Sequence, residues 1–322
     1  MNRIIFCRDV TVIESVSRGL KGGAAYRQLG GTKELSDVGS SAKTGPSLNP
    51  DELPGVFDSL KWSESVSDPL VELGLVVLEP VFDALNLNRK KFRVFLEYVN
   101  SSMPNKNPYH NSLHIMDAMQ MMNIMTKGKG PLADICADPT VHLAAILGIL
   151  CHDLHHPGLT NGFLNTTHSP LIDEYGEKST LEKMHCVYAR TAILHPDMDF
   201  MEGLNSDQRK RVVSLSEQMI LATDMANHSQ LISAKAPENE EDLTLFKLRL
   251  ATKCADLSHC IRRFRVHLTF VQGLKREFYD QGDKEKEKGI RVSIGMDREE
   301  CPRSLAGSQI FFLSTFVSPL LE

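Results

Sequence analysis

The pattern of apolar and polar positions along the chain predicts a protein built from α-helices. Between residues 91 and 99, the apolar side chains fall at 92, 95, 96 and 99, which is the spacing of one helix face. Comparable patterns predict helices over 141–151, from 180 past Arg190, and over 208–224, 243–259, 261–279 and 308–321. No stretch alternates apolar and polar residues as a half-buried strand does. The predicted fold class is therefore all-α.

Local signals mark several helix ends. Asp138-Pro139-Thr140 predicts a helix start with proline in the first turn, and Ser179-Thr180-Leu181-Glu182 fits a capping box. The charged stretch 280–289 predicts a helix end followed by a loop, and 291–305 has no clear period and predicts a loop. The methionine-rich stretch Met116–Met125 predicts core packing rather than a ligand site.

The first residues differ from the rest in composition. Residues 1–50 are rich in glycine and serine, and they predict an irregular arm with a short helix near 10–20. We expect an N-terminal extension over 1–53 and one packed helical domain over 54–322.

Bulk composition excludes some classes of function. The chain has 322 residues, a net charge of −5 and no basic surplus, so we expect no nucleic-acid partner. Its 7 cysteines include no CxxC pair, which is typical of reduced thiols in a cytoplasmic protein. The longest apolar stretches, near 71–78 and 143–150, are shorter than the roughly 20 residues that span a bilayer. We therefore expect a soluble protein with no membrane span.

One polar stretch ends an almost wholly apolar run. Leu143–Leu150 leads directly into Cys151-His152-Asp153, and ionisable groups in such surroundings are costly unless they are paired or bind a metal. His110 and His114 are one helical turn apart and can face one cavity, while Asp256 lies in an apolar-flanked helix. Two imidazoles and two carboxylates (His114, His152, Asp153, Asp256) make a plausible first shell for zinc. A buried ion pair and a plain surface or core histidine pair are the alternatives at this point.

The motifs, taken in order, resemble the catalytic domain of class I cyclic nucleotide phosphodiesterases. The matching segments are Tyr109-His110-Asn111 with His114, His152-Asp153 with His156-Pro157-Gly158, Leu221–Met225, Ala255–Ser258, Gln281–Glu285, and Ser308-Gln309 with Phe312. The resemblance implies a compact multi-helix domain of the HD superfamily with a buried two-metal site. It also implies hydrolysis of cAMP, cGMP or both to the 5′-monophosphate. Because the domain in this family usually continues further, we expect its C-terminal end to be truncated here.

The resemblance also implies roles for individual residues. His114, His152, Asp153 and Asp256 match the zinc ligands, and Asp153 matches the bridge to a second metal, Mg²⁺ or Mn²⁺. His110 matches the general acid, which protonates the leaving oxygen after attack by a bridging hydroxide. Glu182 matches the acidic residue that contacts this histidine and the bridging water. His156 and Asp224 match residues close to the metals.

Base recognition is implied in the same way. Gln309 matches the glutamine that hydrogen-bonds the purine, and Phe312 and Leu274 match the pair that sandwiches it, although spacing alone predicts ordinary core for the latter two. Tyr109 and Met225 are expected to line the same pocket. His259 stands where the family often has an asparagine that touches the base edge, so strict adenine selectivity is in doubt and dual specificity is a hypothesis. His155 also departs from the family pattern.

Two further functions stay open on sequence grounds. The first is another HD-type nucleotide phosphohydrolase, which keeps the metal ligands without needing Gln309 and Phe312 at this spacing. The second is a catalytically silent nucleotide-binding module, which predicts loss of a ligand or of the acid. Release of a 5′-monophosphate from a cyclic substrate separates these functions.

Overall fold

The structure, a computed structural model, describes residues 49–52, 55–104, 106–299 and 305–322. The described residues form α-helices connected by loops and short 3₁₀ helices, and they contain no β-strand. The helices are α1 (Ser59–Ser65), α2 (Pro69–Phe82), α3 (Arg89–Ser102), α4 (Ser112–Thr126), α5 (Pro139–Cys151), α6 (Asn161–Thr166), α7 (Pro170–Tyr175), α8 (Thr180–Ile193), α9 (Ser206–Leu221), α10 (His228–Ser233), α11 (Glu240–Asp256), α12 (Phe264–Glu287), α13 (Leu305–Phe312) and α14 (Ser318–Leu321). The predicted all-α class is confirmed. The predicted helix near 10–20 and the predicted boundary at 53/54 lie outside the described residues.

Helix α5 is the centre of the core. Every residue from Thr140 to Cys151 is buried, and the helix packs against α4 and α9. A Cβ added at Gly148 would lie 2.8 Å from Met219 Cε, so the absence of a side chain allows α9 to approach closely. The apolar run seen in the sequence is therefore a helix that packs between other helices. His152 follows directly after its last residue and is buried.

Helix α4 confirms the methionine prediction. Its methionines at 116, 119, 121, 122 and 125 are buried in the main core, as expected for flexible apolar side chains that fill space between helices. Asn111 caps the helix, because its side-chain oxygen accepts from the backbone N–H groups of Leu113 and His114.

The two predicted capping signals have different outcomes. Asp138 caps α5 as predicted, accepting from Thr140 N at 2.8 Å. The capping box at Ser179 is wrong: Ser179 has φ 50° and its hydroxyl donates to Asp224 Oδ2 at 2.7 Å. The carboxylate of Glu182 accepts from Asn161 instead of turning back to the cap. Both side chains that would have closed the box are engaged in the buried site described below.

Helix α12 is longer than predicted. Residues 280–287 continue the helix, because this charged stretch also has a buried face. Gln281 accepts from Thr160 N at 2.9 Å, and Glu285 accepts from Ser293 N at 2.7 Å. At the C-terminal end, the predicted helix over 308–321 is interrupted by a π turn at Leu313–Val317. In the described part of the chain, no helix combines the length and apolarity that crossing a membrane requires.

Candidate metal and catalytic site

Four side chains from three parts of the chain converge at the C-terminal end of α5. His114 Nε2 lies 3.1 Å from His152 Nε2, 3.3 Å from Asp153 Oδ2 and 3.2 Å from Asp256 Oδ1. His152 Nε2 lies 3.2 Å from Asp153 Oδ2 and 3.4 Å from Asp256 Oδ1. A tetrahedral zinc ion with ligands at about 2.0–2.1 Å separates those ligands by about 3.3–3.4 Å. Each imidazole nitrogen therefore lies, relative to the other imidazole and to both carboxylates, at the spacing expected between ligands of one dication.

The local structure orients these four groups. His152 Nδ1 donates to Ile149 O at 2.7 Å, so the neutral ring carries its hydrogen there and presents the Nε2 lone pair. His114 is in the first turn of α4, and Asp256 is the last residue of α11. The ligand side chains thus lie near helix ends, in backbone held by the core.

The electrostatics of the site favour a cation. Burial by itself would lower the pKa of His114, but its ion pairs with the Asp153 and Asp256 carboxylates raise that pKa to about 9. Burial would raise the pKa of Asp256, yet the His114 and His152 rings hold it well below its ordinary value. Two buried carboxylates therefore demand compensating positive charge, which protons on the imidazoles or a metal ion can supply. Asp153 Oδ2 has no hydrogen-bond partner among the described residues, as expected of an atom reserved for an ion.

A second group of donors adjoins Asp153. Ligand atoms of Asp153, His156 and His185 all lie within 4.8 Å of one another, and His185 Nε2 is 4.0 Å from Asp153 Oδ1. His185 Nδ1 donates to Leu154 O at 2.6 Å, which leaves Nε2 as an acceptor. His156 Nδ1 accepts from Gly158 N at 3.1 Å, which leaves Nε2 as a donor. The structure thus brings His156 to the site and adds His185, which sequence reasoning missed although it lies one turn after Glu182 on α8.

The partner of His110 corrects an expectation. Glu277 Oε1, not Glu182, contacts His110 Nδ1, and Glu277 Oε2 accepts from the backbone N–H of Tyr109 at 3.2 Å and of His110 at 3.1 Å. Burial by itself would raise the pKa of Glu277, but the hydrogen bonds from His110 keep it below its ordinary value. Glu277 was missed because it sits in a charged helix, where a glutamate looks solvated. One face of the His110 ring stacks on the His156 ring, with 3.8 Å between the ring centroids.

Glu182 has a different setting. Its carboxylate accepts from the Asn161 side chain at 3.0 Å, while Asn161 Oδ1 accepts from Leu181 N. Burial raises the pKa of Glu182 to about 7, the Asn161 hydrogen bond opposes that shift, and the nearby charge of Asp224 adds to it. Glu182 is therefore a buried carboxyl that can gain or lose a proton near neutral pH. Its contact with a bridging water stays a prediction.

A buried lysine holds the backbone around Asp224. Lys253 is 1% exposed, and its Nζ donates to the carbonyl oxygens of Ala222, Thr223 and Asp224 at 3.0, 3.1 and 3.3 Å. These carbonyls end α9, where a cation complements the helix dipole. The Asp224 side chain is buried and accepts from Ser179 and Ala226. Lys253 therefore determines where this carboxylate sits.

The residues expected at the base lie in two apolar clusters and on the turn that carries Met225. Its ring contacts Tyr109 at 5.8 Å and Phe270 at 5.6 Å, and Leu274 packs with the cluster of Tyr109 and Phe270. On the other side, Phe312 packs with the cluster of Cys260, Leu313 and Val317. Gln309 on α13 is half-buried, and Met225 is exposed, with its sulfur 3.9 Å from Lys253 Nζ. Of the predicted base residues, Tyr109 contacts His259, Leu274 packs in the Tyr109 and Phe270 cluster, and Phe312 packs against the adjacent Cys260.

His155 does not join the metal-ligand cluster. It has φ 59°, and its Nε2 lies 3.1 Å from the Tyr98 hydroxyl, with the Tyr188 ring 4.1 Å away. The left-handed backbone turns this ring towards α3 and α8. This departure from the family pattern therefore leaves the ligand set intact.

Comparison with known proteins gives a consistent result. A profile of the family described as 3′,5′-cyclic nucleotide phosphodiesterase matches residues 109–322. A probable 3′,5′-cyclic-AMP phosphodiesterase of Caenorhabditis elegans is 29% identical over 84% of this chain, covering 41% of the relative. The human high affinity cGMP-specific 3′,5′-cyclic phosphodiesterase 9A is 30% identical over 74% of this chain, covering 40% of the relative. This chain thus spans about two fifths of the length of these curated relatives.

A solved structure matches the fold. The phosphodiesterase domain of a RhoPDE fusion protein from the choanoflagellate Salpingoeca rosetta superposes with a TM-score of 0.73 at 27% identity. The match covers 82% of this chain and 84% of that domain. The family match begins at Tyr109 and includes the four converging side chains, His110 and Glu277. The chain therefore belongs to the 3′,5′-cyclic nucleotide phosphodiesterase family.

Proposed function

We propose that this chain hydrolyses the 3′,5′-cyclic phosphodiester of cAMP, cGMP or both to the 5′-monophosphate, in a metal-dependent reaction. The observation that carries the proposal is the convergence of His114, His152, Asp153 and Asp256 beside the paired His110 and Glu277. Both imidazole Nε2 atoms lie 3.1–3.4 Å from each other and from both carboxylates. Zinc suits this mixed nitrogen and oxygen set, and Mg²⁺ or Mn²⁺ suits a neighbouring position that shares Asp153. When bound, such ions supply an activated water and stabilise charge on the phosphoryl oxygens.

The chain itself handles the leaving group. Cleavage leaves O3′ as an alkoxide, which departs readily only when it receives a proton. In its protonated form, His110 carries hydrogens on both ring nitrogens, and Glu277 accepts the one on Nδ1. The hydrogen on Nε2 then passes to O3′, and the neutral ring keeps its Nδ1 hydrogen against the Glu277 carboxylate. Glu277 thereby orients the ring and balances its charge.

The neighbouring polar groups orient water and ligands. His156 presents an Nε2–H donor, and His185 presents an Nε2 acceptor, so the pair can order water around Asp153. Glu182 and Asp224 are buried carboxyls nearby, suited to hold hydrogens of that water. Cys136, Cys151, Cys254 and Cys260 are free and buried. Free thiols fit a cytoplasmic setting for this proposed enzyme.

Purine binding completes the proposal. We assign Gln309 to the polar edge of the base, Phe312 and Leu274 to its two faces, and Tyr109, Met225 and His259 to the pocket walls. Stacking on an aromatic ring contributes about 1–3 kcal/mol per base and tolerates either purine. Histidine offers one donor and one acceptor when neutral, which supports activity on both nucleotides. A measured preference above about 100-fold, nearly 3 kcal/mol, would contradict dual specificity.

Metal removal tests the activity. We expect the purified protein to release 5′-AMP or 5′-GMP from the cyclic substrate, to lose this activity on exhaustive chelation, and to regain it with Zn²⁺ plus Mg²⁺ or Mn²⁺. Chelation should also lower the melting temperature, because an ion bound only by the folded state stabilises it, by about 4 kcal/mol at 1,000 times its Kd. Full activity in the chelated protein, or hydrolysis of nucleoside triphosphates instead, would refute the proposal.

His110→Ala tests the role of His110 as the general acid. We expect retained metal content and substrate binding with kcat reduced about 10²–10⁴-fold, the usual contribution of a general acid. Unchanged turnover would remove His110 from the reaction.

A further inference from the structure

Two buried histidines face each other at the wall of the proposed base pocket. His259 lies in the 3₁₀ turn Ser258–Ile261, and His267 lies in the first turns of α12. Their Nδ1 atoms are 3.2 Å apart, and their rings are nearly parallel, with an interplanar angle of 12°. The side chains are 4% and 2% exposed, so water does not compete for this contact. Nothing in the cleavage chemistry described above uses His267.

The contact requires one donor and one acceptor. If both rings were protonated, two N–H groups would point at each other across 3.2 Å. Burial lowers the pKa of His259 well below its ordinary value, with the positive charges of His267 and His114 adding to the effect. Burial also lowers the pKa of His267 to about 4, a shift that the nearby backbone of His259 opposes. Two neutral imidazoles therefore share one hydrogen between their Nδ1 atoms.

The position of the shared hydrogen determines the protonation of the Nε2 atom of His259. If His259 donates from Nδ1, its Nε2 is an acceptor; if His267 donates, the Nε2 of His259 carries the hydrogen and is a donor. His259 Nε2 has only a weak neighbour among the described residues, the Cys260 sulfur at 3.8 Å. Its state is thus decided by the exchange with His267 and by any ligand that reaches it.

A shared metal ion fits the geometry less well. The same three residues, His259, Cys260 and His267, have donor atoms within 4.8 Å of one another. However, the Cys260 sulfur is 3.8 Å from both ring nitrogens of His259, so it lies off the direction of either lone pair. Burial also raises the pKa of this thiol, which keeps it protonated and a poor ligand.

We propose that His267 is a positioning residue for nucleotide specificity, because it sets whether His259 presents a donor or an acceptor to the purine edge. Adenine offers an N6 amino donor beside N7, whereas guanine offers O6 and N7, both acceptors. An Nε2 acceptor on His259 therefore suits adenine, and an Nε2–H donor suits guanine. Because the histidine pair is satisfied in both arrangements, the wall adapts to either base. This inference rests on the proposed function, since it assigns the His259 edge to the substrate base.

Replacing His267 by phenylalanine removes the partner while keeping an aromatic ring. A buried N–H without a partner is costlier than an unpaired acceptor, so His259 should keep its hydrogen on Nε2. For His267→Phe we expect the ratio of kcat/KM for cGMP to that for cAMP to rise at least tenfold. The change should appear in KM for cAMP, with kcat for cGMP within threefold of the wild-type value. His267→Gln, whose amide both donates and accepts, should restore the wild-type ratio.

Two controls keep the outcome interpretable. His142→Leu alters another buried histidine, on α5, and should leave the ratio unchanged. In ¹⁵N-histidine NMR of the wild-type protein, a scalar coupling across the Nδ1–H···Nδ1 bond should connect His259 and His267 without any substrate. Addition of 5′-AMP and of 5′-GMP should give opposite tautomers of His259, and His267→Phe should give one tautomer with both.

The outcomes separate the two claims. An active wild-type enzyme whose substrate ratio stays within twofold in His267→Phe would overturn the role of His267, as would the absence of the coupling. Loss of one bound metal ion per chain in that variant would also overturn it, in favour of a metal site. A coupled histidine pair in a protein that cleaves neither cyclic nucleotide would instead overturn the proposed function.

Discussion

At the scale of single residues, the most consequential contact in the site is between Glu277 and His110. One carboxylate oxygen meets the ring, and the other accepts two backbone N–H groups of the loop that carries this ring. Glu277 therefore positions the loop and the imidazole together. A glutamine has the same shape but no charge, so it can keep the loop contacts while it loses the balance of charge on a protonated ring.

Glu277→Gln tests that division of roles. We expect kcat to fall about 10²-fold because proton donation to O3′ is impaired, with metal content and KM within a few-fold of wild type. Glu285→Gln is the matched control, since Glu285 is equally buried on the same helix but binds the 293 loop. If both variants lose the same activity, the loss reflects α12 stability and not the charge of Glu277.

A second residue-scale effect concerns stability. His142 on α5 is 6% exposed, and its Nε2 has no hydrogen-bond partner among the described residues. Burial lowers its pKa to about 4, helped by the charge of Lys127. Between pH 6.5 and 4, the unfolded chain binds a proton at this residue that the folded chain does not. The native state consequently loses stability as pH falls through this window, and the effect is absent above it.

His142→Leu should weaken that pH dependence. We expect the decrease in unfolding free energy between pH 7.5 and pH 5, measured with denaturant, to shrink by about 2 kcal/mol relative to wild type. His195→Leu changes an exposed histidine and serves as the control. An undiminished decrease in His142→Leu would mean that His142 does not titrate differently in the two states.

At the scale of elements, the site depends on how closely α12 approaches the loop before α4. Gly273 faces that loop: an added Cβ would lie 2.4 Å from Pro108 O and 3.7 Å from Tyr109 Cα. Backbone atoms cannot move aside as a flexible side chain can. The absence of a side chain at Gly273 therefore allows Glu277, one turn further on, to reach the His110 loop.

Gly273→Ala should separate these two elements. We expect kcat to drop at least tenfold through displacement of His110, and the melting temperature to fall by a few degrees, since overpacking costs about 1–3 kcal/mol. Gly162→Ala on α6, where the nearest atom would be 3.8 Å from the new Cβ, should be neutral or slightly stabilising. Wild-type kcat in Gly273→Ala would show that the contact between α12 and the loop does not position the acid.

At the scale of the whole molecule, the helices bring together residues that are far apart in sequence around the end of one buried helix. Helix α5 supplies the hydrophobic centre, and the four converging side chains from α4, the α5 end and α11 meet where that centre stops. Burial there removes water from the carboxylates, so their charge must be balanced by other groups of the site or by ions. The chain tolerates this cost because the surrounding helices form one continuous core.

The same view explains where local rules fail. Ser179 adopts a left-handed conformation and donates to Asp224, and Glu182 accepts from Asn161, although the local pattern favoured a capping box. Lys253 lies in an apolar-flanked stretch and Glu285 in a charged one, and both charged side chains are buried. In each case a tertiary partner outweighed a local preference. Ser179 and Glu182 lie at the proposed active site.

The sequence by itself determined the helical class, the core position of 143–150, the methionine packing of α4 and which four side chains converge. These follow from periodicity and from motifs whose chemistry is local. Only the tertiary structure decided which carboxylate meets His110, that His185 faces Asp153, and that His259 pairs with His267. Those contacts join residues whose spacing carries no signal, because a partner 167 residues away is chosen by helix packing and by the need to satisfy buried polar groups.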